Sequence, residues 1–309
     1  MESRDLENLS AARSEGRGSR GACSLAVLVL TMGDRPGELV RMAASLATQQ
    51  ADEKVLVANG ADLTNGLLID GLAWRVVATS ENLGVPGGRS HGIANTTSDV
   101  IVFLDDDCAV VSPDLLERIA ARFDEQPRLG ALALHLQING SDRSMRRWIP
   151  TSRSRDDTGI RPAVTFPGNG HALRRTAYED VGGYCDELFF KHEETQLSWA
   201  LLDGGWQVAY DDSLIVEHPE TPEARHDVSF RLGVRNKVWL ARMFLPAALV
   251  LPAMAITVIR YLARCRRVRD LTHVWSGLML GLRRLPRTRK PMQWATVAQL
   301  TRRGRPAIL

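Results

Sequence analysis

Ser98–Val110 reads SDVIVFLDDDCAV. Val100 to Leu104 is a short apolar run, as in a strand buried on both faces, and it ends in Asp105, Asp106 and Asp107 before the chain turns apolar again. Three like charges at one strand end repel one another, and in open α/β sheets ligands bind beyond the carboxyl ends of the strands. In an extended segment Asp105 and Asp107 point the same way, with Asp106 opposite. A divalent cation would relieve the repulsion, because hard carboxylate oxygens suit Mg²⁺ or Mn²⁺ alongside substrate phosphates. A solvated turn ahead of a helix is the plainer reading of the same residues.

Outward from this stretch, β-rich runs alternate with helical segments. SLAVLVL from Ser24 reads as a buried strand, and the next segment, RPGELVRMAASLATQQ, as a helix with Pro36 in its first turn and Leu39, Ala43, Leu46 and Ala47 on one face. KVLVA and WRVVA are two further strands, and GGRSHGIANTT is a helix opened by glycines that leads into VIVFL. Ser112 is placed to cap a helix with Pro113 in its first turn and Leu115, Leu116, Ile119 and Phe123 inward. GALALHL follows as a strand, residues 137–165 read as a long polar loop, and EETQLSWALLDGGW reads as a helix stopped by Gly204 and Gly205. WQVAY and SLIVEH complete the set. This alternation implies right-handed crossovers and an α/β fold with a mostly parallel central sheet flanked by helices.

Composition sets outer limits. The 309 residues carry a net charge of +3, but residues 260–309 hold 13 Lys or Arg against the single acid Asp270, leaving an acidic body and a basic tail. Such a tail calls for an anionic partner, lipid or nucleic acid. Its arginines interleave with Leu, Val and Met rather than with stacking aromatics, which argues against nucleic acid. Phe244–Ile259 is a 16-residue apolar stretch, short of the roughly 20 residues a spanning helix needs and interrupted by Pro246 and Pro252. It is expected to be an interfacial or re-entrant helix, with a helix packed on the domain as the alternative. The four scattered cysteines suit a reducing cytoplasm. Residues 1–22 lack an apolar core and are expected to be a loose tail rather than a signal peptide. The expected divisions are therefore 1–22, a compact domain 23–235, and a helical, basic, membrane-associating extension 236–309. The expected location is cytoplasmic, peripheral on the inner face of the plasma membrane.

In order, the chain shows VLTMGDRPGEL, VANGAD, ENLGVPGGRSHGI, FLDDDC, GNGHALRR, GGYCDELFFKHEETQLSWALLDGGW and IVEH. This series resembles the family 2 glycosyltransferases, inverting enzymes of the GT-A fold that use nucleotide-sugar donors, over about residues 24–235. The resemblance implies a metal set of Asp105, Asp107 and His218 holding Mn²⁺ or Mg²⁺, with Asp105 also at the donor. It implies a base at Glu194, with Glu193 as the other candidate. Glu stands at 194 where the family commonly has Asp.

The same resemblance places Thr31, Arg35, Asn59, Asn82, Arg89 and Asp106 around the donor nucleotide and its phosphates, with Gly87 and Gly88 allowing close backbone approach. Gly168 to His171, with Gly170 and His171 foremost, and Trp199 would line the acceptor side. Ala58 replaces the acid the family usually sets near the nucleotide base, for which Asn59 or Asp62 could substitute. The partners implied are a nucleotide-sugar donor, a hydroxyl acceptor and an anionic membrane surface. A sugar-phosphate nucleotidyltransferase is the enzymatic rival, but it needs an Arg-containing, Gly-rich phosphate loop after the first strand, and TMGDRPGEL does not supply one. A non-catalytic, membrane-associated sugar-nucleotide-binding protein is the other.

Overall fold

The computed structural model describes residues 23–61, 74–144, 149–150, 160–220, 228–283 and 285–308. The tail 1–22, Asp62 and parts of the 137–165 loop (145–148 and 151–159) lie outside these. β1 (Leu25–Thr31), β2 (Glu53–Asn59), β3 (Arg75–Thr79) and β4 (Val100–Asp105) form a parallel set in the order β3-β2-β1-β4. Apolar residues fill both faces of β1 and β4, as they must where helices cover the sheet on each side.

Beyond β4 the sheet departs from simple alternation. FPGNGHALRR contributes β8 (Gly170–Arg174), which inserts antiparallel between β4 and β6 (Leu129–Ile138). WQVAY and SLIVEH are one strand, β9 (Gln207–His218), parallel to β6. Its register slips between Asp211 and Ile215, where the buried Asp211 carboxylate takes the Ser213 amide at 2.9 Å and pairs with Arg122 at 3.1 Å. That slip carries both sequence runs through one irregular strand. β5 (Ala109–Val110) and β7 (Ile160–Pro162) pair antiparallel with β9, so the expected loop holds a strand.

Helices α1 (Pro36–Ser45) and α3 (Leu115–Glu125) cover one face, while α2 (Gly84–Ala94), α4 (Arg175–Asp180), α5 (Glu193–Asp203) and α6 (Val228–Phe244) cover the other. Ala47 falls beyond the end of α1 and is exposed. Ser112 does not cap α3. Its hydroxyl accepts the Ile215 amide at 2.9 Å, tying the chain to β9, and α3 starts after Asp114. The glycines of α2 serve packing: a Cβ at Gly88 would lie 2.5 Å from Leu30 Cδ1, and one at Gly92 would lie 2.8 Å from Val57 Cγ2. Gly88 and Gly92 thereby seat α2 against β1 and β2, whereas a Cβ at Gly87 would lie 2.9 Å from Leu83 Cβ at the helix start.

After α6 come α7 (Ala247–Leu262), α8 (Val268–Leu282) and α9 (Trp294–Arg302). Residue 235, the expected boundary, falls inside α6. α8 packs on α6 through Gly277 and Gly281, where added Cβ atoms would meet Val234 at 2.9 Å and Val238 at 2.7 Å. Part of the basic tail is structural. Arg287 donates to the Gly182 carbonyl at 2.8 Å, Arg289 to that of Leu245 at 2.7 Å, and Arg303 to that of Ala163 at 3.2 Å. Among the described residues no helix is long and apolar enough to cross a membrane.

Candidate active site

The three acids at the end of β4 are divided between two arginines. Asp105 keeps the strand direction, and its Oδ1 lies 3.6 Å from Arg89 Nη2. The chain then turns, so Asp106 and Asp107 no longer alternate as a strand would require. Arg35 pairs with both, with Nη2 2.8 Å from Asp106 Oδ1 and Nη1 against Asp107 Oδ2. Thr31, at the end of β1, donates its hydroxyl to Asp106 Oδ2 at 2.7 Å. Burial pushes Asp106 up to about 6 despite the Thr31 hydrogen bond and the Arg35 charge, so desolvation outweighs repulsion from its neighbours.

Asp107 meets His218, the last residue of β9, with Nε2 3.3 Å from Oδ1. Burial opposes ionisation of Asp107, but the hydrogen bond and charge of His218, with Arg35, hold its carboxyl below the ordinary range. The His218 ring places Nδ1 2.7 Å from the Pro219 carbonyl, which fixes a proton there. Against burial, the Asp107 carboxylate raises the His218 pKa and so favours a second proton on Nε2, which a bound cation would displace. Cys108 Sγ completes a buried group whose ligand atoms lie within 4.8 Å of one another, although the thiol hydrogen bonds to the Asn169 carbonyl at 3.0 Å. Among the described residues, the buried Asp107 Oδ1 meets no donor apart from the His218 ring 3.3 Å away. A carboxylate and a tautomer-fixed imidazole converging on one point fit a divalent cation such as Mn²⁺. Asp105 is not in this group. The trio expected from the sequence is brought together only in Asp107 and His218, because the turn after Asp105 sends the two carboxylates apart.

The opposite wall is built from α5. Glu193 and Glu194 are its first two residues, where the helix dipole favours negative charge. The Glu193 side chain is buried. Desolvation and the neighbouring Glu194 charge raise its pKa well above the ordinary Glu value, more than Arg89 lowers it. Glu194 is partly open, and its Oε1 lies 3.6 Å from Arg89 Nη1. Arg89 therefore stands between Asp105 and Glu194, buried, and donates to the Gly168 carbonyl at 2.6 Å.

A cavity of about 510 Å³ opens between these walls. Thr31, Arg35, Asn59, Asn82, Arg89, Asp105, Asp106, Glu193 and Glu194 all border it. Within it, the Asn59 side chain is engaged by the protein itself: Nδ2 donates to Asn82 Oδ1 and to the Gly84 carbonyl, both at 3.1 Å, and Oδ1 accepts the Leu83 amide at 2.9 Å. Met32, Phe189 and Phe190 also border the cavity and were not singled out from the sequence. The Phe-Phe doublet shortly ahead of the two glutamates was a usable signal for the two phenylalanines.

Of the residues expected on the acceptor side, Gly168 and Asn169 border this cavity, whereas Gly170, His171 and Trp199 do not. Gly170 lies inside β8, where a Cβ would meet Leu136 Cδ2 at 2.8 Å. His171 is fully buried, stacked between the rings of Phe103 and Phe166 with centroids 4.7 and 4.5 Å away, and its Nε2 meets the Tyr184 hydroxyl at 3.1 Å. Burial, with the Arg89 charge, lowers its pKa far enough to keep the ring neutral. Trp199 packs edge-on against Phe244 on the core face of α5. Both faces of β8 are covered, and Trp199 lies on the inward face of α5, so all three are core.

Comparison with known proteins agrees with this arrangement. Residues 28–182, half of the chain, match the family described as glycosyl transferase family 2. A pre-mycofactocin glycosyltransferase of Mycobacterium tuberculosis is 28% identical over 153 residues, which cover 46% of this chain and 31% of that protein. The chain thus matches about a third of the length of that curated relative. Among solved structures, GalNAc-T7 with UDP, GalNAc and Mn²⁺ superposes with a TM-score of 0.64 at 13% identity, covering 77% of this chain and 52% of that one. Staphylococcus aureus TarS 1-349 with UDP-GlcNAc gives 0.58 at 14% identity, covering 82% and 79%. At such identities the two structures speak for a shared GT-A fold and nothing finer. On the strength of the family match, the chain belongs to glycosyl transferase family 2.

Proposed function

We propose that the protein is an inverting glycosyltransferase that moves a sugar from a nucleoside diphosphate donor to a hydroxyl acceptor. One observation carries the reading: Asp105 and Asp106 at the strand end and Glu193 and Glu194 at the helix start border one cavity, with Arg89 between Asp105 and Glu194. Single displacement needs a leaving group on one side of the sugar carbon and a base on the other, and we assign these two sets of acids to those positions.

Thr31, Arg35 and Asp106 lie where β1 and β4 end, and we assign them to the donor. Asp107 and His218 are the residues that would hold Mn²⁺ or Mg²⁺. A cation bound there supplies positive charge for the diphosphate oxygen as the glycosidic bond breaks. Arg35 pairs with Asp106 and Asp107, and we assign it to the donor phosphates, with a bound cation as what would compensate those carboxylates. Asp105, more open and paired to Arg89, is assigned to the donor sugar or ribose. Glu194 is the general base. Its neighbour Glu193 is buried and favours the protonated form, so the partly open Glu194, which borders the cavity, is assigned to take the acceptor proton at Oε1 or Oε2. Such help is typically worth about 10²–10⁴ in rate.

The same proposal seats the protein on an anionic membrane, on the inner face of the plasma membrane. α7 exposes Leu251, Ile259 and Leu262 and α8 exposes Val268, Leu271 and Trp275, each set at helical spacing and so on one face. The turn between the helices carries Arg264, Arg266 and Arg267, all exposed. Apolar stripes beside a basic turn suit an interfacial hairpin, and each basic residue near an anionic leaflet contributes about 1 kcal/mol.

The deciding experiment offers a panel of nucleotide sugars with Mn²⁺ or Mg²⁺ and identifies the released nucleotide. Nucleoside diphosphate and a glycosylated product are expected, whereas pyrophosphate would identify a nucleotidyltransferase. Glu194→Gln should still bind donor and lose turnover; turnover at the wild-type rate would remove Glu194 from the base role.

A further inference from the structure

The backbone that delivers Glu193 and Glu194 to the cavity is strained. After the single 3-10 turn Asp186–Leu188, Phe189 has φ 59° and ψ −49°, and the Phe190 amide donates to the Leu188 carbonyl at 2.6 Å. That is a γ-turn of the rare positive-φ form. Lys191 and His192 follow at φ 73° and 69°, so three side-chain-bearing residues within four positions occupy the left half of backbone space. Strain of this kind persists only where surrounding structure over-determines it, and an observed outlier is a reason to look for function.

The surrounding structure is α6. Asn236 is fully buried, and its Nδ2 lies 3.0, 2.9 and 2.8 Å from the carbonyl oxygens of Leu188, Phe190 and Lys191. Arg235 Nε donates to Asn236 Oδ1 at 2.9 Å, so the amide can face only one way, with its two hydrogens toward the three carbonyls. Arg235 Nη2 adds bonds to the carbonyls of Glu187 at 2.9 Å and Leu188 at 2.8 Å, while its guanidinium lies over the Trp239 ring at 4.3 Å. From the opposite side the Val85 amide of α2 donates to the Phe189 carbonyl at 2.7 Å. The turn is thus gripped between α2 and α6, and α5 starts at the next residue with the two acids.

We infer that Asn236, oriented by Arg235, is a positioning residue for the Glu193–Glu194 pair. Holding three carbonyl directions sets the angle at which α5 begins, and with it the place of the Glu194 carboxylate in the cavity. α6 is therefore part of the catalytic scaffold, although it lies beyond the matched residues 28–182. The inference rests on Glu194 acting as the base.

The test uses Asn236→Asp in the full chain. The change is isosteric, keeps an acceptor for Arg235 and replaces the donating amide with an oxygen that faces three carbonyls. Hydrogen exchange of the peptide spanning residues 188–196, measured without substrate, should accelerate at least about tenfold while exchange in β1 and β4 holds. Turnover should fall about 10²-fold, the order expected for a displacement near 1 Å, with donor KM within about twofold and the pH profile of kcat displaced. Val238→Ala, on the face of α6 toward α8, is the control. It should lower Tm yet leave both readouts as in the wild type. Wild-type exchange at 188–196, or a kcat loss no larger than in the control, overturns the inference. Should Asn236→Asp not fold, Arg235→Met is read in the same two ways, with smaller effects expected and the same results overturning the inference. A wild type that turns over no nucleotide sugar sinks the assignment of Glu194 instead, and the exchange arm then still decides whether Asn236 holds the turn.

Discussion

Gly168→Ala puts one methyl group against the centre of the proposed site. A Cβ built at Gly168 overlaps Glu194 Oε1 and comes within 3.1 Å of Arg89 Nη2. An ordinary C···O separation is about 3.3 Å, so the Glu194 carboxylate must retreat by about 1 Å. Arg89 cannot make room for it, since its guanidinium is buried and tied to Asp105 and to the Gly168 carbonyl itself. A misplacement of that size can cost about 10²-fold in rate, while overpacking of this kind costs about 1–3 kcal/mol of stability. The donor side, at Thr31, Arg35 and Asp106, is away from this clash and should be untouched. The assay is release of nucleoside diphosphate under saturating donor and acceptor, with donor KM and Tm measured on the same preparation. The expected pattern is kcat down about 100-fold at constant donor KM. A variant that folds and keeps kcat within about twofold of the wild type would refute the placement of Glu194 as base.

Glu193 keeps its proton in the folded protein over a pH range where the unfolded chain has lost it. Stability therefore falls as pH rises above the ordinary Glu value of 4.5 toward the raised folded value. Glu193→Gln removes that dependence, so its Tm advantage over the wild type should grow from pH 5 to pH 7.5; a constant difference would mean that Glu193 is charged in the fold. Gly92→Ala should destabilise by about 1–3 kcal/mol through the clash with Leu28 and Val57, read as a lower midpoint in urea. An unchanged midpoint would show that α2 can lift from the sheet at little cost. Ile259→Asp combined with Trp275→Asp should abolish flotation with anionic liposomes while transfer to a soluble acceptor persists, and flotation as before would reject the hairpin as the lipid contact.

Much of this protein can be read along the chain. The apolar run Val100–Leu104 ending in three aspartates announces a buried strand with its site at the carboxyl end, and the alternation around it announces a mostly parallel sheet. Two glutamates ahead of Leu197, Leu201 and Leu202 announce a helix whose start is acidic and whose flank is core. These features survive because side-chain period, strand-end placement and helix dipoles are local physics, settled within a few residues.

Contacts between residues far apart in sequence are another matter. Arg35 reaches Asp107 across 72 positions and so does the neutralising that a cation was expected to do alone. β8 enters the sheet antiparallel, which turns Gly170 and His171 into core where the motif order suggested a binding surface. Gly88 and Gly92 turn out to seat a helix, because which atom meets a missing Cβ depends on the strand beneath. Asn236 finds three carbonyls that no periodicity could have pointed to. Most of the strands and helices, and which of their ends carry charge, follow from the order of residues alone. The partner each charge meets was settled by sheet order and helix seating, since a hydrogen bond or ion pair depends on ångström-scale distance and direction that only the packed chain sets.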